Sequence, residues 1–148
     1  GPIHVGAGYE SSANATGTSV QKIFRAAASY RLGAARFYLA YQTERQSDHS
    51  EKRDIYEASG TYLFNPFNRF SVMYGYAHDR TGQGNNAQQV GLIYEYYLSK
   101  STILYTAAGL IQNRHQAQYT LDGTQYSGIA VEPGAYARGV IVGMTHKF

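Results

Sequence analysis

The chain has 148 residues, with 13 Lys and Arg against 10 Asp and Glu for a net charge of +3, and it carries 15 Tyr, 16 Gly, 3 Pro and neither Cys nor Trp. That length fits one domain or a piece of a larger one; the lack of Cys excludes disulfide scaffolds and thiolate chemistry, and 14% aromatic residues make a disordered chain implausible. The charge is too small and dispersed for a nucleic-acid partner, and no run approaches eighteen apolar residues, so a membrane span would have to be built from strands.

Period-2 alternation dominates, and eight strands are predicted over 2–11, 20–32, 35–46, 54–64, 69–80, 87–99, 102–114 and 137–148. In the second, Phe24, Ala26, Ala28, Tyr30 and Leu32 oppose Arg25, Ala27, Ser29 and Arg31. The third sets Phe37, Leu39 and Tyr41 against Arg36, Tyr38, Ala40 and Gln42, and the fourth sets Tyr56, Tyr62 and Phe64 against Glu57, Ser59 and Thr61. Phe70, Val72, Tyr74 and Tyr76 form one face of the fifth, and Val90, Leu92, Tyr94, Tyr96 and Leu98 one face of the sixth. The seventh alternates poorly, because Ile103-Leu104 and Leu110-Ile111 break the period, and its facing stays open. The last alternates Val140, Val142, Met144, His146 and Phe148 with Gly139, Ile141, Gly143, Thr145 and Lys147.

Short turns near Gly33, Pro66 and Lys100 alternate with longer polar connections over 11–19, 47–53, 81–86 and 115–136. In an up-and-down meander this puts every short turn, and both chain ends, at one end of the sheet. The predicted fold class is all-β, an antiparallel up-and-down transmembrane β-barrel, with residues 1–148 forming one barrel segment.

Alternation alone leaves open whether the apolar face meets lipid or a core, and three features favour lipid. The opposite face mixes Arg and Glu with Ala, Ser and Gly and is nearly free of Lys, which suits a lumen better than a solvated exterior. Aromatics gather toward the strand ends in two belts: Tyr30, Phe37, Phe64, Phe70, Tyr96 and Phe148 beside the short turns, and Tyr9, Tyr41 and Tyr56 nearer the long loops. The strands also have the length needed to cross a bilayer.

Two motifs are more specific. The stretch GLIYEYYLSKST, Gly91 to Thr102, resembles the general porins of Gram-negative bacteria, and PGAYARGVIVGMTHKF, Pro133 to Phe148, is similar to the C-terminus of their betaproteobacterial branch. The resemblance implies a homotrimeric outer-membrane channel of about sixteen strands per subunit, contacting outer-membrane lipid and lipopolysaccharide and passing small anionic or neutral solutes. Eight strands are then about half a barrel. The chain is either the C-terminal part of a longer one, the preferred reading, or an eight-stranded barrel closed on itself.

A channel needs no catalytic group and no cofactor; it needs charge that lowers the barrier for one sign of solute. Arg25, Arg31, Arg36 and Arg69 share the inferred lumen face, which predicts mild anion preference, with Arg25 deepest and Arg31, Arg36, Arg69 and Lys147 near the periplasmic mouth. Glu57 and Glu95 are expected to pair with these arginines or to face them across the lumen. His4, His49, His78, His115 and His146 show no ligand spacing, so no metal site is expected. The run from Asp48 to Asp54 is expected to be a mixed-charge loop that is solvated or in contact with lipopolysaccharide. Two other functions fit the pattern: a small eight-stranded barrel acting as anchor or adhesin, and a soluble ligand-binding barrel.

Overall fold

The computed structural model describes residues 1–48, 50–122 and 128–148. Eight strands follow in chain order: β1 (Ile3–Ala13), β2 (Val20–Leu32), β3 (Ala35–Gln46), β4 (Lys52–Asn65), β5 (Asn68–Asp79), β6 (Ala87–Tyr97), β7 (Thr102–Asn113) and β8 (Tyr136–His146). Each pairs antiparallel with its sequence neighbours in one sheet of order β1 to β8. The predicted bounds hold to within two residues. β4 starts at Lys52 instead of 54 because Arg45 and Glu44 of β3 keep partners in Lys52 and Arg53, so the charged run is partly strand and not wholly loop.

Turn chemistry fixes the register. Gly33 adopts φ 56° between β2 and β3, a conformation that L side chains resist. In the next hairpin the Asn65 side-chain oxygen accepts from the Phe67 amide at 2.9 Å and from Asn68 Nδ2 at 2.8 Å. A bulge between Leu63 and Asn65 leaves Phe64 without a ladder partner beside this turn.

Because the register is regular everywhere except at that bulge, alternate residues sort onto two faces, one polar and one apolar. One apolar row passes through Val5, Ala28, Leu39, Ala58, Tyr74, Val90 and Leu110. The facing of β7 is settled: Leu104, Thr106, Ala108 and Leu110 join the apolar face, opposite Met144, Val142, Val140 and Arg138 of β8.

Among the described residues, nothing covers the apolar face. Val5 is 79% exposed, Val140 78% and Val142 79%, and among the described residues no large side chain is fully buried. A water-soluble fold does not leave so large an apolar surface bare, and a soluble barrel would hold these stripes in its interior. The exposure of these stripes agrees with the lipid-facing reading. The eight strands do not close on themselves: among the described residues β1 pairs with β2 alone and β8 with β7 alone.

Candidate functional site: a charged sheet face and the loop folded onto it

Register places Arg25, Arg31, Arg36, Glu57, Arg69 and Glu95 together on the polar face. Arg25 stands opposite Gln42, Arg31 opposite Arg36, Ala40 opposite Glu57 and Arg69 opposite Glu95. Lys147 follows β8 with the same alternation as Thr145, which faces Ile103. Several positions between them are glycine: Gly75, Gly91, Gly109 and Gly139 present no side chain of their own to the polar face over β5 to β8.

The arginines differ in how far they are neutralised. Arg69 makes a two-pronged ion pair with Glu95 across the β5–β6 ladder, and its guanidinium lies 5.5 Å from the centre of the Tyr97 ring. Arg25 Nε donates to the Gln42 side-chain oxygen Oε1, and its guanidinium lies 3.6 Å from Glu10. Arg31 and Arg36 face one another directly, and among the described residues neither has a carboxylate within salt-bridge distance. Arg36 instead rests on the ring of Tyr38 at 5.6 Å, and its Nε is buried without a hydrogen-bond acceptor. Glu57 is exposed, also without an ion-pair partner among the described residues.

Beyond these predicted positions, the long-loop end of the polar face carries a network that the sequence did not announce. Arg53 donates to Glu44, which is 8% exposed, and lies 3.3 Å from Glu51. Its Nη1 also donates to the Tyr119 hydroxyl at 2.8 Å. Tyr119 belongs to the connection between β7 and β8, which folds back onto the sheet through Tyr119, Leu121 and Val131. Asn113 pins this connection: its Nδ2 donates to the carbonyls of Tyr119 at 3.0 Å and Ala135 at 2.9 Å, while its Oδ1 accepts from the Tyr119 amide. Tyr119, Leu121 and Val131 then pack on a small buried cluster of Ala87, Ile111 and Ala137.

Glycine makes this packing possible. A Cβ on Gly109 would lie 2.9 Å from a methyl of Leu121, and one on Gly139 would lie 3.5 Å away. Leu121 therefore occupies space that two facing glycines, paired across the β7–β8 ladder, leave empty. The signal was present in the sequence as apolar residues inside a polar loop, Tyr119 and Leu121, opposite a glycine pair of matching parity. Between the same loops lies a polar cleft of about 450 Å³, bordered by Glu51, Arg53, Asp79, Asn85, Gln116 and Tyr119.

The ladders give the facing of the aromatics predicted to form two belts. Tyr9, Tyr30, Phe37, Tyr41, Tyr56, Phe70 and Tyr96 share the parity of the apolar face. Tyr41 and Tyr56 pack with ring centres 5.3 Å apart. Phe64 meets Tyr62 edge-on at 4.9 Å, and Phe148 meets His146 at 4.7 Å. His49 lies outside the described residues.

The Gram-negative porin family model matches residues 1–116. No curated protein matches the chain in sequence. Among solved structures, the anion-selective porin from Comamonas acidovorans superposes with a TM-score of 0.86 at 22% identity, over 100% of this chain and 46% of that one. OmpT of Vibrio cholerae, folded in vitro, superposes with a TM-score of 0.76 at 18% identity over 99% of this chain and 52% of its own, as does its trimer form. The chain thus spans about half the length of the solved structures it matches. The family match over most of its residues, together with a bare apolar face of bilayer-spanning strands, makes this chain a member of the Gram-negative porin family, at home in the bacterial outer membrane.

Proposed function

We propose that the polar face borders the water column of a passive diffusion channel for ions and small hydrophilic solutes, with a mild preference for anions. The observation that carries this reading is the placement of Arg25, Arg31, Arg36 and Arg69 on one face of a sheet whose other face is apolar and uncovered. Their charges are unequal in effect. Glu95 offsets Arg69 and Glu10 partly offsets Arg25, whereas Arg31 and Arg36 keep full charge side by side. A guanidinium holds its charge at every relevant pH and releases a hydrated anion readily. Glu57 opposes this field from the same face, which keeps the preference mild. No step of such a process forms or breaks a covalent bond, so the chain acts without catalysis.

Further support comes from the Comamonas neighbour, which is named as anion-selective, and from OmpT, which has a trimer form. We extend both properties to this chain: a homotrimer whose subunits pass small anionic or neutral solutes and whose apolar faces contact outer-membrane lipid and lipopolysaccharide. Planar-bilayer recording with the full-length subunit tests the reading. Replacing Arg31→Ala and Arg36→Ala together should lower the chloride-over-potassium permeability ratio about twofold, the scale of a screened charge pair in a wet passage. An unchanged ratio would remove these arginines from the channel wall.

A further inference from the structure

The polar cleft at the long-loop end is built by bonds that need no solute. Three segments wall it: the turn closed by the Gln46 amide on the Glu51 carbonyl at 2.9 Å, the β5–β6 loop, and the start of the β7–β8 connection. Each is tied to the others. The Arg80 amide donates to the Lys52 carbonyl at 2.7 Å. His115 Nδ1 donates to the Gly84 carbonyl at 2.8 Å, and the Gln116 amide donates to Asn85 Oδ1 at 2.9 Å. Arg53 joins the first wall to the third through the Tyr119 hydroxyl. Within the β5–β6 loop, Asp79 accepts from the Thr81 amide at 2.7 Å, the Thr81 hydroxyl at 2.6 Å and the Asn85 amide at 2.9 Å. A cavity of about 450 Å³ with walls fixed in this way gives up little freedom when a ligand enters.

The chemistry left over is neutral. All three nitrogens of the Arg53 guanidinium are engaged, by Glu44, Tyr119 and Glu51, so an anion would have to displace a carboxylate. Asp79 uses both oxygens to hold its own loop, so a cation would have to loosen that wall. Lys52 has the parity of the apolar face. What remains is amide. Gln83 accepts from Asn85 Nδ2 through Oε1, which leaves its Nε2 without a partner among the described residues. The Gln116 side chain makes no hydrogen bond among them, since only its main-chain amide is engaged. A carboxamide offers donors and acceptors side by side, and a sugar hydroxyl is both at once, so neighbouring hydroxyls can satisfy each amide. Apolar lining is limited to buried Ala117 and the half-buried ring of Tyr119, too little for a greasy solute. In outer-membrane barrels the longer loops face outward, so the cleft stands at the outer mouth on the polar side of the sheet. We propose that it is a binding site for neutral saccharides, held by Gln83 and Gln116 before they enter the water column. The inference rests on the channel reading above and adds one class of solute and the place where it pauses.

The test is an equilibrium titration of the full-length subunit in micelles of a sugar-free detergent, followed by ligand NMR. The probes are maltose, its phosphate ester and tetraethylene glycol. Maltose should bind, and the ester should bind no more tightly. Tetraethylene glycol, whose ether oxygens only accept, should bind about fivefold more weakly, the scale of one or two lost hydrogen bonds. Replacing Gln83→Ala and Gln116→Ala together should weaken maltose by about the same factor. Should that pair fail to fold, Gln116→Ala alone decides by the same titration, because its side chain supports no wall. A native subunit that ignores maltose, or binds the polyether equally well, overturns the proposal. So does a preference of about tenfold for the ester, the mark of a charge-assisted anion site, or a variant that binds maltose unchanged. Planar-bilayer recording separates this outcome from failure of the reading beneath it. Conduction without maltose binding sinks the cleft alone, whereas maltose binding without conduction sinks the channel and leaves a sugar site.

Discussion

A charged side chain influences a passing solute only to the extent that fixed neighbours leave its field uncancelled, and on this sheet the neighbours differ residue by residue. Arg69 and Arg31 look alike in the sequence, each beside a short turn on the same face. Only register reveals that one meets Glu95 and the other a second arginine. Face and residue type were legible because alternation fixes facing; partners were not, because a ladder offset by two residues would have kept every face and changed every pair. The turn after β3 shows similar selectivity. Asp48 accepts from the Ser50 hydroxyl at 2.7 Å and from its amide at 3.0 Å, and these bonds, the hydroxyl first, hold the carboxyl below its usual value. A depressed folded-state value means that the contribution is complete above the unfolded value near 3.9 and fades as pH falls through the folded one. Ser50→Ala should move the Asp48 titration upward toward that ordinary value, as followed by carboxyl carbon shifts in NMR.

At the scale of elements, strands were readable to within two residues and the long connection was not. Strand identity depends on local alternation, which a sequence displays openly. The fold-back of the β7–β8 connection depends on a distant coincidence. Leu121 needs Gly109 and Gly139 to lie side by side beneath it, and Tyr119 needs Arg53, 66 positions away along the chain. A valine in place of Gly109 should expel Leu121, since even its first carbon would come within 2.9 Å of a methyl. Hydrogen exchange at 119–122 should quicken as a result, while β7 and β8 stay protected. Leu121→Ala is the milder change, costing about 1–2 kcal/mol of local packing for a half-buried leucine, and should give a smaller effect in the same measurement.

For the molecule as a whole, stability depends on which solvent each face meets. Val142, in the middle of β8, is 79% exposed, and in lipid that exposure is favourable. Val142→Arg should lower unfolding stability by about 2–4 kcal/mol if the position lies near the bilayer midplane. Ala27→Arg on the polar face should cost less than about 1 kcal/mol, because it ends in water. Urea unfolding of the full-length subunit in lipid vesicles compares the two, and equal costs would contradict the assignment of faces. The fold class was legible at this scale for the same reason that the belts were: a bilayer imposes a single depth profile on every strand at once.

The open margins of the sheet carry a consequence for how it enters a membrane. Among the described residues β1 and β8 each leave one side of their main chain without a ladder, and in hydrocarbon every bare amide or carbonyl costs several kcal/mol. A helix satisfies its own main chain and can cross first and pack afterwards. These strands cannot, so their passage into the bilayer and the satisfaction of their outermost amides have to be one concerted event, with the hairpins already zipped together at the water's edge.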